Sequence, residues 1–373
     1  MAGPPDLPLG LYPLAYPTAG EEALREPALR ITHSDGCVST RLVFEAHRQI
    51  DHAHGVEHRI SLVDRVAPVS VVLCFRTWPD HDLLQQWVEV ANRGSGTIVV
   101  HQAASASVAF AAADPILTRW GGGWAGEWQE TTAPVASGTT TVASAGGVRP
   151  SLYLPPVVCL APDGPALEEA GEVLTAAVAW GGDTRFDVEV APHRQGRLLC
   201  GTQHRGAQRH LEAGDVYETP AAVLVHSEAG KGPASRALHR WARRHVLRDG
   251  DRPRAIAYNN WEAMGFDLST ASVAEVIDGA ADIGAELFLL DDGWFGTEHP
   301  RDGDHQGLGD CETDRAKFAD GLGPVVAHAQ DRGMRFGLWV EPEMVNPRSA
   351  LYEAHPDWVI AEPGRERREE RQQ

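Results

Sequence analysis

The residues able to do chemistry gather in three short stretches: Asn259-Asn260-Trp261-Glu262, Asp291-Asp292-Gly293-Trp294 and Trp339-Val340-Glu341-Pro342-Glu343. Carboxylates accept hydrogen bonds from hydroxyl groups, and a flat indole offers an apolar face to C–H groups. Together they suit a neutral polyol such as a sugar. A glycosidase needs in addition two carboxylates astride the bond it breaks, one as nucleophile or base and the other as acid. From composition alone, one of Asp291 and Asp292 would stand opposite Glu341 or Glu343. The same acids are oxygen ligands of the kind magnesium takes, but no spacing among them fixes a metal site. The plainest alternative makes the two aspartates a turn acid and a helix cap, and the recurrence of such stretches weighs against it.

These stretches share a position. Ala255–Tyr258, Leu287–Leu290 and Arg335–Val340 are short apolar runs of the kind that form strands covered on both faces, and each is followed by one of the polar stretches. Helical patterns lie between them. Ser272 and Glu275 are spaced as a capping box, Val273, Val276, Ile277 and Ala280 make an apolar stripe, and Gly284 stands at its stop. Leu322, Val325, Val326 and Ala329 repeat the pattern ahead of Gly333. Strands alternating with helices imply right-handed, parallel βαβ units. Polar groups at the carboxyl end of every strand favour a barrel over an open sheet.

The chain before this region reads differently. From Arg41 to about Ser227 it is a series of short β-type runs separated by Gly, Asn, Asp and Pro, the signature of an antiparallel sandwich. In Leu84, Trp87 and Val88 the strict alternation breaks down. Between Ala234 and Leu247 the period becomes helical, with Leu238, Trp241, Ala242 and His245 on one face. The expected organisation is a β-sandwich over residues 1–232, a linker helix over 233–252, and barrel elements over 253–373.

Three features of the sandwich could suggest chemistry. His47, His52, His54 and His58 lie close together, but with no cysteine and no helical histidine pair they read as a polar hairpin surface rather than zinc ligands. Gly121-Gly122-Gly123 is not followed by the helix a phosphate loop must open, so it reads as a plain loop. Trp120, Trp124 and Trp128 around it either pack the sandwich or stack on a sugar, and packing is the favoured reading because large aromatics usually fill cores.

With 33 Lys plus Arg against 52 Asp plus Glu, the formal charge of −19 argues against nucleic acid and anionic membrane as partners. The five cysteines are widely spaced with no CxxC pair, which suits free thiols in a reducing compartment. The N-terminus lacks a charged region followed by an apolar one. The expectation is a cytoplasmic protein.

The stretches YNNWEAMGFD, ELFLLDDGWFG, LGDCETD, GMRFGLWVEPEMVNP and HPDWVI closely resemble the bacterial α-galactosidases of glycoside hydrolase family 36. The match extends upstream through DVYETPAAVLVHSE and SRALHRWARRHVL. The resemblance implies an N-terminal β-supersandwich followed by a (β/α)8 barrel of the TIM type, and retaining hydrolysis of terminal α-linked galactose in raffinose- and melibiose-type sugars, without a cofactor. It implies a small-molecule α-galactoside as partner and homo-oligomers among full-length relatives. By the same resemblance Asp291 and Asp292 hold galactose hydroxyls, Trp261 and Trp339 line the sugar site, and Arg371 contacts the sugar. The family's nucleophile lies in a KWD-type motif on a later strand and its acid/base later still, and neither motif occurs in this sequence. Glu341 and Glu343 then become supporting acids, and no catalytic residue is assigned. A barrel closes only when all eight strands pair, and the chain supplies about three. It therefore reads as a galactosidase fragment that is inactive by itself. The alternatives are a sugar-binding remnant or a relative that acts on α-N-acetylgalactosaminides.

Overall fold

In the first unit the strand Val69–Trp78 sets Val69, Val71 and Leu73 on one buried face, and its neighbour Leu83–Asn92 answers with Val88 and Val90. Period-2 burial of this kind is what makes a strand stick to a second layer. The coordinates are a computed structural model, which describes residues 14–20, 25–147, 153–191, 194–206 and 208–366. The chain divides into two units, Met1–Asp251 and Arg252–Gln373.

The first unit is built on a ten-stranded antiparallel sheet. Its strands run in the order Leu42–His52, Gly55–Asp64, Val69–Trp78, Leu83–Asn92, Ala222–Ser227, Val173–Val178, Val157–Ala161, Ile116–Gly121 and Gln129–Pro134, with Val216–Glu218 also paired on Leu83–Asn92. One end of this sheet packs on a three-stranded sheet (Leu29–Thr32, Ile98–Ala103, Arg209–Leu211) through Val69, Val71, Val88, Ile31 and Val100. The other end packs on a four-stranded sheet (Gly138–Ala143, Thr184–Val190, Gln195–Thr202, Ala106–Ala111) through Leu117, Leu160, Phe186 and Leu198. Two cores thus share one large sheet, as in a supersandwich.

The broken alternation around Leu84 has a cause in this sharing. Leu84 packs toward one core, Val88 and Val90 belong to the other, and Leu83 on the opposite face meets a third apolar cluster. That third cluster is made by the helix Lys231–His245, which lays Ala234, Ala237 and Trp241 against Val173, Val223 and Val225. Arg243, Arg244 and His245 fall in its last turn, where the helix dipole favours positive charge. None of the five cysteines is paired, and burial pushes the thiols of Cys74 and Cys200 up to about 12.

The second unit has three parallel strands, Ala257–Asn259, Leu287–Leu290 and Arg335–Leu338, with Leu287–Leu290 in the middle. The helices Thr270–Asp282 and Gly323–Asp331 make the crossovers. Together with the antiparallel first unit, this is an N-terminal β domain followed by the first part of a (β/α) barrel. Phe288 and Leu290 are fully buried and join Val273, Ile277, Val325 and Ala329 in one core. Burying a side chain of this size stabilises by roughly 1.5–3 kcal/mol.

Two local expectations are corrected. The central strand is not covered equally on both faces: Leu287 and Leu289 are only half-buried. Their register partners are exposed Ala257, Asn259 and Arg335 and side-chain-less Gly337, which shield little. The capping box is Ser269 with Ser272, not Ser272 with Glu275. Ser269 adopts the extended conformation of a cap and its Oγ accepts from Ser272 N at 3.1 Å, while Ser269 N donates to Ser272 Oγ at 3.0 Å. The helix therefore starts a turn earlier than the apolar stripe, because a capping serine commits the backbone before the first buried residue. Gly284 does stand at the helix stop, with a φ of 87°.

Candidate sugar-binding site

The middle strand ends at Leu290, and Asp291 and Asp292 follow as the chain turns. Two consecutive side chains on a strand point to opposite faces, so the turn decides what the pair can do. Gly293 makes it possible. Its φ of 98° is left-handed, and a Cβ there would meet Phe266 at 3.2 Å.

Asp291 is held from the neighbouring strand. Asn260, fully buried, accepts from Asp291 N through its side-chain oxygen at 2.7 Å. Asn259 donates from Nδ2 to Asp291 Oδ2, and its own Oδ1 accepts from Trp261 N at 2.8 Å. Asp291 Oδ1 accepts from Asp292 N at 2.7 Å. Each carboxylate oxygen of Asp291 thus accepts from one donor and retains acceptor capacity, on a side chain that is half-buried.

Asp292 is in a different state. It is 4 % exposed, and Arg301, which is wholly buried, grips it as a fork: Nε lies 3.0 Å from Oδ1 and 3.1 Å from Oδ2, and Nη2 lies 2.8 Å from Oδ2. Oδ1 also accepts from Gly293 N at 2.7 Å. A hydroxyl that reached Asp292 would share an oxygen with one of these donors. Arg301 further donates from Nη1 to Gly303 O (2.8 Å), Gln306 O (3.1 Å) and Asn346 Oδ1 (3.2 Å), and its guanidinium lies over Phe266. Asn346, after the third strand, also accepts from Leu308 N at 2.9 Å. Lys317 Nζ ties the same shell by donating to the carbonyls of Phe266, Gly293 and Arg301 at 2.9–3.1 Å. The polar segment after the aspartates is therefore a buried charge network, closed by bidentate pairing of the kind arginine favours.

Trp261 opens the short helix Trp261–Met264 beside this turn, half-buried, with its ring edge-on to Phe266 at 5.0 Å. Trp339 is half-buried just past the third strand, bonded through its N to Leu290 O (2.8 Å) and through its O to Trp294 Nε1 (3.0 Å). Asp291, Asp292, Trp261 and Trp339 are thus gathered around the carboxyl ends of the three strands. Arg371 lies outside the described residues. Reading the sequence missed Arg301, Asn259 and Asn260 as positioning residues. The asparagines are adjacent in the recognised stretch. The only signal for Arg301 is a lone arginine in a loop that also carries Asp302, Asp304 and Asp310.

Among the described residues no group of histidines, cysteines and acids is placed to hold a metal ion, and no helix is long and apolar enough to cross a membrane. In the sandwich, His47 and His58 stack on each other at 5.2 Å across the hairpin.

Comparison with known proteins agrees with this architecture. Residues 2–212 match the glycosyl hydrolase family 36 N-terminal domain, and residues 216–373 match the Melibiase family. Similar curated proteins include a probable α-galactosidase C of Aspergillus terreus, 32% identical over 92% of this chain and 49% of that protein. Another is α-galactosidase AgaA of Geobacillus stearothermophilus, 31% identical over 96% of this chain and 51% of its own length. The crystal structure of the Geobacillus protein superposes with a TM-score of 0.90 at 30% identity, covering 95% of this chain and 51% of that one. Variants of it have been solved in complex with stachyose and with raffinose. The chain spans about half the length of the curated relatives it matches.

Proposed function

The chain belongs to glycoside hydrolase family 36, and from that premise we propose that it carries the galactose-recognition end of an α-galactosidase acting on terminal α-linked galactose. The observation that carries this reading is the strand end at Asp291. There a carboxylate with acceptor capacity to spare is aimed by Asn259 and Asn260, beside the indole of Trp261. Two adjacent hydroxyls of a hexose suit such an acceptor, and an indole face suits the C–H side of the ring.

In this reading the two aspartates divide the work. Asp291 accepts hydroxyl protons directly. Asp292 fixes the turn through Arg301 and contacts the sugar only at the oxygen edge that this ion pair leaves open. Trp261 and Trp339 bound the ring, and Arg371 adds a contact from the C-terminal segment. Because the turn is locked by buried hydrogen bonds, the site is held in binding geometry before ligand arrives, which lowers the ordering cost of recognition. No residue is assigned as nucleophile or general acid, and the bond-breaking step is not placed in these residues.

Calorimetric titration of the 373-residue protein with galactose, raffinose and glucose tests the reading. Galactose-bearing sugars are expected to bind in preference to glucose, and Asp291→Ala is expected to abolish the preference. Equal affinity for the two hexoses, or no saturable binding, would sink it. Turnover of an aryl α-galactoside by the same protein would move the chemistry into this chain and contradict the division of labour above.

A further inference from the structure

A second polar cleft lies within the sandwich unit, and nothing in the galactosidase reading uses it. It forms where the three-stranded and four-stranded sheets meet. Its inner section has a volume of about 170 Å3 and opens into a wider section of about 490 Å3. The inner section is smaller than the roughly 300–1,000 Å3 clefts that take drug-sized organic ligands, so a compact group suits it.

Its walls are cationic. Arg30 comes from the strand Leu29–Thr32, Arg185 from Thr184–Val190, and Arg205 from the loop after Gln195–Thr202, with His101 and His204 between them. His210 borders the outer section. The acid lining the inner section is Asp187, and it is already taken. Its Oδ2 accepts from Arg185 Nε at 2.6 Å and its Oδ1 from Thr141 Oγ1 at 2.6 Å. Glu26 also lies near enough to Arg185 to favour its charge. Among the described residues the guanidinium groups of Arg30 and Arg205 have no hydrogen-bond or ion-pair partner. His101 shares a hydrogen bond with Thr32 Oγ1 at 2.8 Å, and His204 with Thr202 Oγ1 at 3.0 Å, which fixes both rings at the wall.

This arrangement runs against the net charge of the molecule. In a chain of formal charge −19, three arginines lining one polar cleft concentrate positive charge at one place. Some arginines of the same unit are compensated, Arg76 by Glu57 at 2.7 Å, Arg197 by Glu189 at 2.7 Å and Arg236 by Glu169 at 3.0 Å, whereas Arg30 and Arg205 face the same cleft without such a partner among the described residues. Arg185 pairs in register with Gly201, and a Cβ on Gly201 would come within 2.9 Å of Ser105 N, so the crossing chain lies flat against the strand.

We propose that this cleft binds a compact oxyanion, a phosphate group either free or esterified to a small sugar, through the guanidinium groups of Arg30 and Arg205. Planar guanidinium forks match the geometry of phosphate oxygens and are the usual means of holding them. The polar, cationic walls and the lack of an available acid favour an anion over an apolar or cationic ligand, and among the described residues no group of histidines, cysteines and acids is placed to hold a metal ion. The galactose site plays no part in this binding, so it stands or falls separately from the proposal on function.

The test is calorimetric titration of the 373-residue protein with inorganic phosphate and, separately, with a hexose phosphate, at low ionic strength. The expected result is one saturable site, weakened about tenfold or more in Arg30→Gln and further in the Arg30→Gln, Arg205→Gln pair, because charge-assisted hydrogen bonds are lost. Tighter binding of the hexose phosphate would identify the ligand as an ester. Equal binding would identify the free ion. No saturable binding by either, or binding unchanged in the paired variant, would overturn the proposal. Both arginines are exposed, and an unchanged unfolding midpoint in the variants shows that lost binding is not lost folding. A protein in which Asp291→Ala removed phosphate binding would also refute it, since the anion would then occupy the other site.

Discussion

Arg301 in the barrel unit and Arg30 in the sandwich unit carry the same guanidinium in opposite circumstances. Arg301 is wholly buried and donates to Asp292, Asn346 and two backbone carbonyls. Arg30 is exposed in a cleft and meets no acid among the described residues. The difference separates two uses of charge. A buried ion is tolerated only when each donor is met, and it then fixes geometry rather than binding anything new. A solvated ion needs no partner in the folded protein and remains free to take one from outside. The same contrast divides the two adjacent aspartates: Asp292 is consumed by the fold, and Asp291 keeps acceptors in reserve.

The largest way to break this comparison is to remove Arg301. Arg301→Ala leaves Asp292 as an uncompensated buried charge and is expected to cost about 3–5 kcal/mol, read as a large fall in the urea midpoint of the barrel unit. Asp292→Ala should cost a similar amount, and the double variant less than the sum of the two. Additive losses would show that the pair is not coupled. Next, Asp291→Ala should leave stability within about 0.5 kcal/mol of the parent while removing sugar binding. A loss of stability as large as that of Asp292→Ala would erase the distinction drawn between the two acids.

A smaller effect concerns Arg30 and Arg205. Saturating phosphate, at about 100 times its Kd, should raise stability by roughly 2.7 kcal/mol in the parent and by much less in the Arg30→Gln, Arg205→Gln variant. In its absence the two should unfold alike. The smallest expected effect lies under the helix Lys231–His245. His81 and His245 face each other, Nε2 to Nε2, at 3.1 Å, so one must accept and stay neutral. Desolvation, then nearby Arg244, lowers the pKa of His81, and desolvation with His54 and His81 lowers that of His245. A depressed histidine binds its proton more readily unfolded than folded. Its stabilising contribution is therefore full above the ordinary histidine value of 6.5 and is lost as pH falls from there toward the lowered folded value. Thermal melts between pH 7 and pH 5 should show a shallower decline in His81→Gln than in the parent.

Much of the fold is legible in the sequence. The change from period-2 runs to alternating strands and helices marks the two architectures, and the apolar run at Leu287–Leu290 places the aspartates at a strand end. The motif resemblance named the acids and the tryptophans of the site. What stayed hidden was the state of each group. Leu84, Trp87 and Val88 break alternation because one strand serves several cores, which no local pattern reports. The cap at Ser269 was missed because two serines three residues apart form the box, where a glutamate was expected.

Backbone periodicity and turn chemistry are local properties, so the residue types at the carboxyl ends of the strands are readable from the chain alone. Which charges are spent is settled in three dimensions. Arg301 reaches Asp292 across nine positions of irregular loop and Asn346 across 45. Arg30, Arg185 and Arg205 converge on one cleft from strands and loops far apart in the chain. Compensation depends on distance in space and on burial, and neither is a function of spacing along a chain.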